Sequence, residues 1–437
     1  MTDDTLFPLN PPEPTRRGEA DGPARYETAN RAQVELRPSD LEGLLPPGHA
    51  ARLVWRFVEG LELGRFYAAI QAREGGPGRT PIDPKILIAL WLYATIDGVG
   101  SARAVDRLCF SHDAYRWIRG GVSVNYHTLS DFRVAHQAAL DEVLTQSIAA
   151  LLHGGIVRLA RVAQDGTRVR ASAGVGSFRR EGTLQKCLHT ARTQVARTAR
   201  QDDGGVGSRE MAAQERAARE RLARVEEALA QLPALAAIKA RNRKKSDAEP
   251  RASTTDPDAR VMKMSDGGFR PGYNVQFATD VGSRVIVGVT VITSSSDNGQ
   301  LVPMLNEIDR RTGRAPDEML VDGGYVSGDS INAATRRGTI LYAPAMAPKG
   351  ARPATEPRPG DSLSIALWRR RMGTDAAKQI YKERAATAEW VNADARTHRT
   401  LTQLSVRGRE KVHTWALWAA LAHNMMQTME IVPHLMT

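Results

Sequence analysis

The sequence predicts an α/β fold: a mixed sheet flanked by helices, with an all-α N-terminal domain before it and a helical insertion after the first core strand. Three observations carry this. Short β-type apolar runs occur at 156–163, 273–278, 285–292, 318–321 and 339–342, and the later ones alternate with helical spacings. Two of these runs lead into Asp-Gly pairs, Asp165-Gly166 and Asp322-Gly323. Two long stretches, 38–150 and about 178–250, read almost entirely as helix.

Composition sets the frame. A length of 437 residues is a soft prior for about two to four domains, and 42 % hydrophobic residues suffice for a substantial core. Cys109 and Cys187 stand alone, outside any CxxC or Cys/His spacing, which disfavours a disulfide framework or a zinc finger and fits a reducing cytosol. The start, Met1-Thr2-Asp3-Asp4, is acidic and soon Pro-rich, unlike a signal peptide. The longest apolar run, 86–96, is short of the roughly 20 residues that cross a bilayer, so it reads as a buried helix and no membrane is expected. Sixty Lys and Arg against 49 Asp and Glu give a charge of +11 and a pI near 9.9, which favours a polyanionic partner. The excess includes Arg241-Asn242-Arg243-Lys244-Lys245 and Arg369-Arg370-Arg371.

Residues 1–37 carry Pro, Gly and charge without period and read as a flexible leader. From Pro38, Leu53, Val54, Phe57, Leu61 and Leu63 are helically spaced, up to a loop at Gly75-Gly76-Pro77-Gly78. The helix 85–97 stops at Gly98, and shorter helices follow at 101–109, 112–119 and 127–136, with Ser101 and Thr128 as caps. These short helices form either a helix-turn-helix, offering Thr128, Ser130, Asp131 and Arg133 to a groove, or a bundle with Trp117, Leu129 and Phe132 as core. The run 156–163 leads into Asp165, and 167–171 continues that strand or pairs with it.

Residues 178–245 read as a long helical hairpin broken near Asp203-Gly204-Gly205, either a solvated charged arm or a contact to DNA or a second subunit. Strands 273–278 and 285–292 flank a turn at 280–283. A helix at 299–311 precedes the strand that delivers Asp322. A helix at 327–336, a short strand at 339–342 and a helix at 375–396 complete the order. That order is close to an RNase H-like core, a mixed sheet covered by helices.

The chemistry of such a sheet lies in its acids. In-line attack on a phosphodiester is served by a pair of Mg²⁺ ions roughly 4 Å apart, and hard cations take oxygen ligands. Asp165 and Asp322, at the ends of neighbouring strands, can approach each other although distant in sequence; Glu389, on the last helix of the order, is the third candidate. At about 100° per residue Arg396 returns to within roughly 20° of Glu389, and Asn392 lies one turn from it. Tyr381 and Arg384 form an i, i+3 pair suited to holding a phosphate. Glu383 is an equally acidic competitor on the same helix. Asp256, Asp258, Asp280 and Asp297 read as turn, cap or salt-bridge residues, and His423 as packing for the final helix.

These residues carry a resemblance. The chain, over about residues 38–430, resembles bacterial insertion-sequence transposases of the DDE type, in the group with a Tyr-x-x-Arg signature before its glutamate. The matching motifs are Gly78-Arg79-Thr80-Pro81, Phe132-Arg133, Asp165-Gly166-Thr167-Arg168-Val169-Arg170-Ala171 and Asp256-Pro257-Asp258-Ala259-Arg260. Further ones are Gly272-Tyr273-Asn274-Val275-Gln276, Asp322-Gly323-Gly324-Tyr325, Tyr381 to Arg384, Ala388-Glu389-Trp390-Val391-Asn392 and Leu421-Ala422-His423-Asn424.

The resemblance implies Asp165, Asp322 and Glu389 as catalytic, metal-binding acids for Mg²⁺, with Mn²⁺ as substitute. It implies Tyr381, Arg384 and Arg396 as DNA contacts, to which Asn392 is added by its place on the helix. Residues 38–150 would then recognise element ends and 151–437 form the catalytic domain. The expected partners are double-stranded DNA, as terminal inverted repeats and target, and a second copy in a synaptic homodimer; the expected place is the bacterial cytoplasm, at the nucleoid. Two rival functions stay open: an RNase H-like nuclease without strand transfer, and a catalytically idle DNA-binding protein derived from a transposase.

Overall fold

Polar caps and glycine stops set most helix ends. Seven helices come first among the described residues: α1 (Ala50–Glu59), α2 (Gly64–Ala68), α3 (Pro84–Ile96), α4 (Ala102–Ser111), α5 (Asp113–Arg119), α6 (Tyr126–Ala135) and α7 (Gln137–His153). Asp83 caps α3 by accepting the Lys85 N–H, Pro84 occupies the first turn, and Gly98 takes φ +72° just beyond the end. α3 is buried on nearly every side, as a uniformly apolar helix must be. Ser101 caps α4 as expected, but α6 is capped by Asn125, whose side chain accepts the Thr128 N–H at 3.0 Å.

The computed structural model describes residues 29, 32, 40–72, 80–200, 208–241, 249–346 and 353–431. The expected leader (apart from residues 29 and 32), the loop Gly75-Gly76-Pro77-Gly78, the break at Asp203-Gly204-Gly205 and residues 242–245 of the basic run lie outside them. Packing separates Met1–Asp40 from Leu41–Thr437, and all the elements belong to the second unit.

β1 (Arg161–Arg170) is one continuous strand, so 167–171 extends it, while 156–160 precede it. The chain then leaves the sheet. β2 (Phe178–Arg179) pairs with β3 (Ala252–Ser253) beside a hairpin of α8 (Glu181–Thr198) and α9 (Ser208–Ala240), which has its own small core of Leu184, Ala228, Leu232 and Ala252. It returns through β4 (Arg260–Lys263), β5 (Phe269–Asp280) and β6 (Ile286–Ile292).

α10 (Leu301–Thr312), β7 (Glu318–Leu320), α11 (Gly328–Arg336) and β8 (Ile340–Tyr342) follow. The sheet runs β6-β5-β1-β7-β8, antiparallel from β6 to β1 and parallel from β1 to β8, with β4 also on β5. After β8 come α12 (Leu363–Met372), α13 (Asp375–Arg384), a π-helical turn at Ala385–Glu389, α14 (Trp390–Thr397) and α15 (Arg409–Ile431). The expected single helix 375–396 is thus interrupted by the π turn, a device that accommodates one extra residue in a helix and recurs at functional sites.

One continuous apolar cluster joins the first seven helices to the sheet, and α15 packs against α3, α7 and β6. Asn424 on α15 completes the β6 edge: its Oδ1 accepts the Ile286 N–H at 2.7 Å and its Nδ2 donates to the Ile286 carbonyl at 2.8 Å. Arg133 belongs to this core. Its guanidinium lies over the Trp91 and Trp415 rings, at 4.3 and 4.0 Å, and donates to the Gly100 carbonyl at 2.6 Å. A residue so enclosed cannot enter a groove, so the bundle reading holds for Arg133, and for Leu129 and Phe132, which are buried. Among the described residues no helix is long and apolar enough to cross a membrane.

Candidate active site

The register of β1 and β7 sets the site. Arg161 pairs with Glu318, Val162 with Met319 and Ala163 with Leu320; continued by two residues, that parallel register brings Asp322 level with Asp165. Neighbouring strands lie about 4.8 Å apart, and level residues of a parallel pair face the same side. Each aspartate is steadied by the N–H of the glycine after it, Gly166 at 2.9 Å and Gly323 at 2.7 Å. Asp322 is exposed, whereas the Asp165 side chain keeps only 21 % of its exposure.

Over β1 lie α13, the π turn and α14. Arg384 places Nη2 3.2 Å from Asp165 Oδ1, and Asn392 Nδ2 donates to Asp165 Oδ2 at 3.3 Å, so both carboxylate oxygens are engaged from one helical segment. The Arg384 guanidinium lies close enough to the Tyr381 phenol to pull its pKa down against the effect of burial. Arg396 donates from Nε to the Asn392 carbonyl at 3.3 Å. Glu389 is exposed, and its side chain has no hydrogen bond or ion pair among the described residues. The competitor Glu383 is tied to Arg161 at 2.7 Å, and Arg161 also holds Glu318. Of the seven expected residues, then, Asp165, Asp322, Tyr381, Arg384 and Asn392 come together; Arg396 touches the group through Asn392, and Glu389 stands outside it.

The electrostatics follow from burial. Desolvation pushes the Asp165 carboxyl above its ordinary value; Arg384 and the Gly166 N–H pull it down, while Asp297 and Asp322 push it up. Burial alone would weaken the Arg384 guanidinium, but Asp165, Tyr381 and Asp322 outweigh it and hold the charge. Burial also raises the Tyr381 phenol, which stays a neutral hydrogen-bonding group.

The opposite face of β1 at this point carries a polar network that sequence reasoning missed. Asn274 Nδ2 and Gln276 Nε2, two apart on β5, both donate to Asp297 Oδ1 at 2.7 Å. Gln276 Oε1 accepts from the Tyr325 hydroxyl at 2.5 Å and from Gln164 Nε2 at 3.3 Å. Gly166 lies directly beneath: a Cβ there would sit 2.3 Å from Gln276 Nε2, 2.5 Å from Asn274 Oδ1 and 2.9 Å from Asp297 Oδ1. Asp297 is therefore an acceptor for two amides beside the site, not a salt-bridge residue. The available signal was the polar pair Asn274 and Gln276 within an otherwise apolar strand.

Among the described residues no group of three or more His, Cys, Asp or Glu side chains is arranged to hold a metal ion. Asp165 and Asp322 nonetheless offer hard oxygen donors on adjacent strands, and the Asn392 amide oxygen beside them is buried without a hydrogen-bond partner. That donor set suits a divalent cation of the Mg²⁺ or Mn²⁺ kind. Arg384 supplies the positive charge on Asp165 in this arrangement.

Two family models match the chain. A Transposase DDE domain matches residues 364–429, and a Transposase domain (DUF772) matches residues 39–135. The first match covers α13, the π turn and α14 with most of α15; the second covers α1 to α6. Neither a curated protein nor a solved structure matches the chain.

Proposed function

We propose that this chain, which its two domain matches support as an insertion-sequence DDE transposase, cuts DNA at the ends of its element and joins those ends to target DNA. The observation that carries the reading is the level placement of Asp165 and Asp322 on adjacent parallel strands beneath the helix bearing Tyr381 and Arg384. A six-stranded mixed sheet, with an acid on the central strand and another after its parallel neighbour, supports an RNase H-like core.

In this reading water attacks a phosphorus at the element end and the bond to the 3′ oxygen breaks. The 3′-hydroxyl so released attacks a target phosphodiester, which loses its own 3′ oxygen, and no covalent enzyme intermediate is needed. Asp165 and Asp322, with Glu389 as third ligand, would hold divalent metal, which polarises the phosphate and lowers the pKa of the attacking water. Tyr381 and Arg384 bind and orient the phosphate by hydrogen bond and charge, a role suited to a guanidinium. Asn392 orients Asp165, and Arg396 extends the basic face toward the flanking DNA. Gln276, Asn274 and Asp297 fix the backbone that presents Asp165.

Residues 38–150 would bind the terminal inverted repeats and 151–437 perform the chemistry, in a homodimer that pairs two ends at the nucleoid. The test is nicking and joining of a labelled duplex taken from the flanks of the reading frame. Asp165→Asn, Asp322→Asn and Glu389→Gln should each abolish Mg²⁺-dependent cleavage while leaving DNA binding largely intact; full activity in all three would sink the proposal. Nicking without joining would identify a plain nuclease. Binding without nicking would identify an idle DNA-binding derivative, a reading favoured by the exposed, unpaired position of Glu389.

A further inference from the structure

The helical insertion presents two helices that carry their cations differently. On α9 the cations are interleaved with acids, and Arg219 pairs with Glu215 at 2.5 Å and Arg224 with Glu220 at 3.7 Å, while Arg216 and Arg221 pair with no acid among the described residues. On α8 the one acid is Glu181, in the first turn where a helix favours negative charge. Of the α8 cations, Arg192 is paired across the hairpin with Glu226 at 3.3 Å. Lys186, Arg197 and, just past the helix end, Arg200 are exposed, and among the described residues their side chains have no hydrogen-bonding or ionic partner.

These three lie on one face. At about 100° per residue, Lys186, His189, Thr193, Arg197 and Arg200 fall within an arc of roughly 80°. Leu184, Leu188, Ala191 and Val195 fall on the opposite side by the same count, and Leu184 and Ala191 are the buried residues of the helix. The buried face packs on α9, which directs the basic stripe outward. Lys186 and Arg197 are separated by about 17 Å along the axis at 1.5 Å per residue, a span that covers several phosphates of a duplex.

We propose that this outward face of α8 is a phosphate-binding surface for duplex DNA, separate from the acids of β1 and β7. The proposal rests on the transposase reading for the identity of the polyanion. Three like charges with no acid among them repel a copy of themselves, so the same face meeting itself across a two-fold axis is disfavoured. Lysine and arginine on a helix, with a histidine and threonines between them, suit backbone contact without base reading, so the surface would hold DNA irrespective of sequence.

The test uses the full chain and a random-sequence 40-base-pair duplex, with binding followed by fluorescence anisotropy across a salt series. The triple variant Lys186→Gln, Arg197→Gln, Arg200→Gln should lose roughly 3 units of the salt slope and about a hundredfold in affinity at 0.15 M salt. A charge-matched control, Arg192→Gln, Arg219→Gln, Arg224→Gln, removes only paired cations and should stay near wild type. Glutamine is a good helix former, and unchanged circular dichroism would show the hairpin intact. Equal slopes in the two variants would overturn the surface proposal, as would a change in sedimentation of the first variant without a change in DNA binding. Wild-type protein that binds no duplex would instead overturn the reading on which it rests.

Discussion

Arg384 and Asp165 form a 3.2 Å ion pair between the C-terminal end of α13 and the central strand, with both side chains largely buried, at 13 % and 21 % exposure. The guanidinium supplies the positive charge that this carboxylate needs when no cation is bound, and Asp322 adds to the demand for it. Arg384→Gln should therefore separate two effects. Divalent-ion affinity, measured by calorimetry with Mn²⁺, should rise severalfold because the competing cation is gone. Single-turnover cleavage should fall by about a hundredfold, because a charge-assisted phosphate contact contributes about 1.5–3 kcal/mol. Arg384→Lys should recover part of the rate, since a point charge cannot reach Tyr381 and the phosphate together. Unchanged rate and unchanged ion affinity would show that the pair is only structural.

Gly166 exists at its position because amides occupy the space above it. An alanine methyl would displace Gln276 or Asn274, both fixed on Asp297, and so disturb the network that backs Asp165. Gly166→Ala should lower stability by about 1–3 kcal/mol, read as a drop in the urea midpoint, together with slower cleavage. A wild-type midpoint would show that the side chains yield freely.

Asp394 ties the helix of Asn392 to the rest of the molecule. It accepts from Arg399 at 3.1 Å and bonds His423 at 2.9 Å, and the other His423 nitrogen reaches the Arg284 carbonyl at 2.9 Å. Burial works to raise the Asp394 carboxyl, but His423 and Arg399 outweigh it and leave it below its ordinary 3.8. An acid held below its unfolded value adds stability above that value and loses it as the pH falls through the lowered folded one. Asp394→Asn should thus cost about 1–3 kcal/mol near pH 7. That gap to wild type should close as the pH falls below 3.8; a gap independent of pH would show that charge on Asp394 is irrelevant to folding.

What was legible in the sequence followed from local rules. Gly98 ended α3 as its glycine predicted, and the apolar runs leading into Asp165 and Asp322 became neighbouring strands, because glycine stops and two-residue alternation act over a few residues. Arg133 was ambiguous, since only tertiary packing puts Trp91 and Trp415 on its two sides. Nothing local showed that Asn392 would hold Asp165, and Asp297 gave no sign that two strand amides would reach it. The π turn was invisible to a count at 100° per residue, which treats 375–396 as regular.

That turn controls which side chains meet Asp165. The segment Ala385–Glu389 holds one residue more than an α-helical turn, and Arg384 before it and Asn392 after it both reach the same carboxylate. Inserting one further alanine after Ala386, beyond the single extra residue the turn absorbs, should rotate the two flanks by about 100° relative to each other. α14 is anchored by buried Val391, Asn392 and Ala395, whereas α13 buries only Ala377, so α13 takes up the rotation. Arg384 and Tyr381 then swing off Asp165 while Asn392 stays. Stability should fall by only about 1–2 kcal/mol, with thermal unfolding still cooperative, because little packing is lost. Cleavage of the end duplex should disappear and random-duplex binding should persist. Wild-type cleavage by the insertion variant would show that the phase between Arg384 and Asn392 has no part in the chemistry.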